Sequence, residues 1–154
     1  MLCAIVSENK KIIPTLVSEV ERAGMAYILF YNSIVALSHL NLYRPDCFVI
    51  DSSAFSFISF QSFVDRFQLY DSSLSSLLIL TEEKGNVPVP IRRSNILTSP
   101  DLLCSALRKI SNKPMKRQAY LEGEYTNTSA FFFSGGVEEV VSRIFRTFEE
   151  SLKL

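Results

Sequence analysis

The chain has no tryptophan, one histidine, three cysteines and no charge excess: 16 basic residues balance 16 acidic ones. Zero net charge removes the whole-chain field that would favour nucleic acid or an anionic membrane. The basic residues are scattered, and Arg92-Arg93 and Lys116-Arg117 are only dipeptides, so direct nucleic-acid binding has no support. His39 lies between Leu37 and Leu40 without a His, Cys or Asp partner nearby, which predicts a partly buried or exposed helix histidine and not a catalytic one. Cys3, Cys47 and Cys104 have no metal-ligand spacing and each lies in an apolar run. They read as buried free thiols of a reducing compartment. No stretch approaches the roughly 18 apolar residues of a membrane span. The first apolar run breaks at Ser7-Glu8-Asn9-Lys10, and no basic region precedes it as in a secretion signal. A soluble cytoplasmic protein without membrane association is expected.

What is present is a core. At 154 residues and 47% hydrophobic, with twelve phenylalanines, the chain is long enough for one globular domain and an appendage. Short apolar runs alternate with helical spacing. Leu2 to Val6, Ala26 to Tyr31, Cys47 to Ile50, Leu77 to Leu80 and the poorer Ser94 to Leu97 are predicted strands. Helices are predicted over Lys11 to Ala23 (stopped by Gly24), Ser33 to Leu42 (closed by Arg44-Pro45), Phe57 to Tyr70 and Pro100 to Ile110. Such alternation implies right-handed crossovers and a parallel sheet covered on both faces. The segment Glu82 to Arg93 breaks the pattern. It holds Pro88 and Pro90, and a proline inside a helix costs about 3 kcal/mol, so a loop or one irregular turn is expected there.

Beyond about residue 112 lies a basic linker, Lys113-Pro114-Met115-Lys116-Arg117. Ala119 to Tyr125 and Ala130 to Phe133 are β-capable and suggest a hairpin. Val137 to Leu152 carries Val137, Val140, Val141, Ile144, Phe145, Phe148 and Leu152 at helical spacing. That is more apolar surface than a solvated terminal helix should carry, so cover is expected on the domain's rim or on a second copy of the chain. There is no G-x-x-x-x-G-K-S/T and no G-x-G-x-x-G to build a phosphate cradle.

Asp51 is the residue that points to chemistry. In Arg44-Pro45-Asp46-Cys47-Phe48-Val49-Ile50-Asp51 a turn precedes an apolar run that ends on a carboxylate. In an open α/β sheet, ligands gather at the carboxyl ends of the strands. Pro45-Asp46, the run ending at Asp51, Thr81 after the fourth run, and Ser99-Pro100 opening the last helix follow one another in a recognisable order. In these features residues 1 to 112 resemble the receiver domain of two-component response regulators, with 113 to 154 as linker, possible hairpin and terminal helix. The resemblance implies a flavodoxin-like (CheY-like) three-layer α/β fold with a five-stranded parallel sheet in the order 2-1-3-4-5. It also implies that Asp51 stands at the phosphoacceptor position and Thr81 at the hydroxyl position.

The departures from the family matter more. Receivers hold Mg²⁺ with two acidic residues after strand one plus the acceptor aspartate; here the pair is Ser7-Glu8, leaving Glu8 and Asp51 as a weakened Mg²⁺ set. Ser99 stands where the family has a lysine to balance the phosphoryl charge. Ile96 occupies the aromatic switch position. The expectation is a degenerate receiver that is not an enzyme, uses no cofactor, and signals by protein contacts, with a histidine kinase or an effector domain as partner and self-association possible. The alternatives are a phosphorylation-competent receiver using Asp51, or a flavodoxin-like enzyme or nucleotide binder. The last is disfavoured by the absence of a glycine loop after the first strand.

Overall fold

Five of the apolar runs become parallel strands in the computed structural model, which describes residues 1–55, 58–82, 87, 90–111, 131–134 and 137–152. They are β1 (Leu2–Val6), β2 (Ala26–Phe30), β3 (Cys47–Asp51), β4 (Leu77–Leu80) and β5 (Ile96–Leu97). Their order is 2-1-3-4-5, the flavodoxin-like arrangement expected from the sequence. A sixth strand, β6 (Phe131–Ser134), extends the sheet antiparallel to β2, pairing Ile28 with Phe133 and Phe30 with Phe131. The other arm of the expected hairpin, 119–125, lies outside the described residues.

Helices cover both faces, and this explains why the strands read as unbroken apolar runs. Leu2, Ala4 and Val6 of β1 face one core while Cys3 and Ile5 face the other, all fully buried. The second core is closed by α1 (Ile13–Arg22) and α5 (Leu103–Ser111). Gly24 ends α1 at φ +77°, where a side chain would be strained. Glu19 of α1 is buried yet satisfied: its carboxylate accepts from the Cys104 amide at 3.2 Å and pairs with Arg22 at 3.1 Å. An orphan amide in the first turn of α5 thereby finds a partner.

Among the described residues, the first core holds all the buried phenylalanine and tyrosine side chains except Tyr27. α4 (Phe60–Tyr70) starts at Ser59, whose hydroxyl accepts the Ser62 amide, and it turns Phe63, Val64, Phe67 and Tyr70 inward. Phe48 on β3 meets Phe67 at a ring-centroid distance of 5.2 Å and Phe63 at 6.0 Å. The Tyr70 hydroxyl donates to the Pro45 carbonyl at 2.8 Å, fastening the end of α4 to the turn that opens β3.

The segment expected as one helix over 33–42 is two: α2 (Ser33–Ser38) and α3 (Leu40–Tyr43). The Val35 carbonyl bonds the Ser38 hydroxyl at 2.8 Å and His39 Nδ1 at 2.8 Å, while the His39 amide falls back to Ala36. Side chains competing for a helical carbonyl interrupt the ladder there. His39 is buried, against the expectation of partial or full exposure, and stacks on Tyr43 with ring centroids 5.9 Å apart. Burial also pushes the Tyr43 hydroxyl up to about 12.

The other predicted strands and helices of residues 1–111 are present, most of them with shifted ends. A 3₁₀ turn at Arg93–Asn95 precedes β5, and another at Pro100–Leu102 leads into α5. In the proline-broken crossover, residues 82, 87 and 90–92 carry no helix. Cys3, Cys47 and Cys104 are free and buried, and burial raises the Cys3 thiol well above its ordinary value. Among the described residues no helix is long and apolar enough to cross a membrane.

α6 (Val137–Leu152) docks on α3. Arg143 pairs with Asp46 and donates to the Arg44 carbonyl, Thr147 donates to the Leu42 carbonyl, and Glu150 pairs with Arg44. The carbonyls at the end of α3, which lack helical partners, are thus satisfied by a helix a hundred residues away. Part of the cover that the apolar stripe requires comes from within the chain: Ile144 packs against the first core.

Candidate functional site

At the carboxyl ends of β1, β3 and β4 the chain places Ser7, Asp51 and Thr81 beside one another, as parallel register demands. Val6 pairs with Ile50, and Asp51 with Leu80. A cleft of about 660 Å³ opens above them. Its polar wall holds Asn9, Asp51, Ser52, Ser53, Thr81, Glu82 and Thr98; its apolar wall includes Ile12, Phe55 and Phe60. Phe55 and Phe60 stack at 4.3 Å.

Asp51 sits on the floor, 7% exposed. Its Oδ2 accepts the Ser7 hydroxyl at 3.0 Å and the Ser53 hydroxyl on the same oxygen. Both donors follow from local structure. Ser7 is the first residue after β1 and fully buried, and its own oxygen accepts the Asn9 amide at 3.1 Å, which turns the chain away from the sheet. Ser53 lies in the 3₁₀ turn Ser52–Ala54, which folds it back over the aspartate two residues earlier. Ser33 closes the rear of this turn by donating to the Ala54 carbonyl at 2.7 Å.

The other candidate residues are placed unequally. Thr81 is buried in the cleft wall, with its amide bonded to the Leu97 carbonyl at 2.9 Å. Glu8 follows Ser7, is half-buried, and does not line the cleft; among the described residues the carboxylates that do are Asp51 and Glu82. Among the described residues, no group of three or more His, Cys, Asp and Glu stands where it could hold a metal ion. Ser99 accepts the Asp101 amide at 3.4 Å as the cap of the turn that opens α5, and Thr98 faces the cleft instead. No lysine, arginine or histidine is among the described residues that line the cleft.

The arrangement is therefore a carboxylate held by neutral donors in an acidic, hydroxyl-rich cleft. Ser53 was not singled out in the sequence, although a serine two residues after an aspartate is a common local hydrogen-bonding pair. A second cavity of about 360 Å³ between β5 and α5 carries Arg92 and Lys109 in its lining and no carboxylate among the described residues.

This geometry sets an expectation for replacing Asp51. Where carboxylates crowd one another, neutralising one relieves repulsion and stabilises the fold. Here two hydroxyls donate to the carboxylate, and a hydrogen bond to an ionised acceptor is the stronger kind. Asp51→Asn is expected to lower stability by about 1–2 kcal/mol, read from urea denaturation. A stabilised Asn variant would contradict the arrangement.

No protein-family model and no curated protein matches the sequence.

Proposed function

We propose that the protein is a degenerate receiver: a receiver-like module that acts through contacts with a protein partner, a histidine kinase or an effector domain, and does not take up phosphate. The supporting observation is the engagement of the Asp51 carboxylate by Ser7 and Ser53. Phosphoryl transfer to an aspartate needs cations around the transferred group, because it brings about two negative charges into the site. Ser7 supplies a neutral hydroxyl where a metal-binding carboxylate would be required, and Ser99 is occupied in capping. Asp51 and Glu82 make the cleft acidic, with no described basic residue to offset them. A phosphoryl group arriving here meets repulsion from Asp51 and Glu82 and no counter-charge among the described lining residues. The carboxylate serves instead as a hydrogen-bond hub that fixes the loops after β1 and β3, the same loops that would move in a switching receiver. The test is exposure of the full chain to Mg²⁺ and a small-molecule phosphodonor, read by intact mass, and the expected result is no phosphoryl adduct.

A further inference from the structure

The two sides of α6 differ in what they meet. On one side Arg143 and Glu150 are ion-paired to Asp46 and Arg44, Thr147 caps α3, and Ile144 reaches the core. About a third of a turn away, Phe145 and Phe148 are 64% and 61% exposed. Two phenylalanines more than half exposed on adjacent turns are a patch, not a scattered exposure. Beside them Arg146 and Glu149 are exposed and form no ion pair among the described residues, whereas the charges on the docked side do.

We propose that this face of α6 is a homodimer interface, with α6 packed antiparallel on α6 of a second copy. The partner follows from the pattern. Apolar residues recur in the sequence at 141, 145, 148 and 152, at intervals of four, three and four, a spacing that is the same in either direction. A two-fold axis through the midpoint between Phe145 and Phe148 sets Phe145 of each copy against Phe148 of the other. The same axis keeps like flanks together, so Arg146 lies two residues along the axis from Glu149 of the second copy, and the contact occurs twice. An isologous interface needs this kind of self-complementarity, in apolar spacing and in charge. A membrane surface is the poorer fit: interfacial helices carry basic residues beside their apolar face, and here Glu149 accompanies Arg146. The inference does not depend on what happens at Asp51.

Sedimentation velocity of the full chain over a concentration series tests it. The wild type is expected to shift from monomer to dimer, with the weak, reversible affinity of a small interface. Phe145→Glu/Phe148→Glu should be monomeric throughout, with an unchanged far-ultraviolet circular dichroism spectrum. Arg146→Glu places like charges across the axis and should weaken the dimer at least about fivefold, and adding Glu149→Arg should restore it to within about twofold. That reciprocal rescue keeps the test decisive if the double glutamate variant fails to fold. A wild type that stays monomeric, a dimer that survives Phe145→Glu/Phe148→Glu, or a charge exchange without rescue would overturn the proposal.

Discussion

Phe67→Ala is expected to destabilise the fold by about 3–5 kcal/mol, the usual cost of deleting a fully buried aromatic ring from a packed core. The ring is 0% exposed and touches Phe48 on β3, Phe63 one turn back on α4 and Tyr70 at the helix end. It is the point where α4 is fixed to the sheet. Collapse around the lost ring is limited because its neighbours are themselves held: Phe63 contacts Phe55, and Tyr70 is anchored to Pro45. Urea denaturation gives the value. A loss below about 1 kcal/mol would mean that this face of the sheet is not packed as described. Phe67→Leu should recover much of the stability, since volume and not aromaticity is the larger part.

Asp46→Ala is expected to cost about 3 kcal/mol, for a different reason. One carboxylate oxygen, Oδ2, accepts the Leu2 amide at 2.7 Å and the Arg143 guanidinium, joining the start of β1, the turn before β3 and α6. Both side chains are largely out of water, at 11% and 12% exposure. Removing the acid leaves a buried amide and a guanidinium without their acceptor, and that desolvation is the penalty. A double-mutant cycle separates the two roles. Asp46→Ala with Arg143→Met should cost clearly less than the sum of the single changes, because the stranded charge is gone. Additive costs would mean that the pair contributes nothing beyond its separate parts.

Both residues show which features could be read from the sequence. The α4 face was legible because Phe60, Phe63, Val64 and Phe67 fall at helical spacing. β1, β3 and β4 were legible because a strand buried on both faces is apolar at every position. Asp46 was visible as part of Pro45-Asp46, but its partner was not: nothing in 1–112 indicates that Arg143 closes the site. β6 fails for the same reason. Phe131 to Phe133 reads as β-capable, yet its pairing with the edge of β2 is set by contacts a hundred residues apart. The split at His39 was hidden because it depends on rotamers that direct two side chains to one carbonyl. Of the candidate site, Asp51 and Thr81 could be placed because register brings strand ends together. The direction of Ser99 could not: a serine before Pro-Asp can face a cleft or cap the next turn, and capping satisfies an orphan amide.

That the Asp51 carboxylate stays bound by hydroxyls and takes up no phosphoryl group is the central claim, and intact mass spectrometry after incubation with acetyl phosphate and Mg²⁺ tests it most directly. Neither the wild type nor Asp51→Asn should show a population heavier by one phosphoryl group at any time point. A phosphoryl adduct on the wild type that disappears in Asp51→Asn would contradict it.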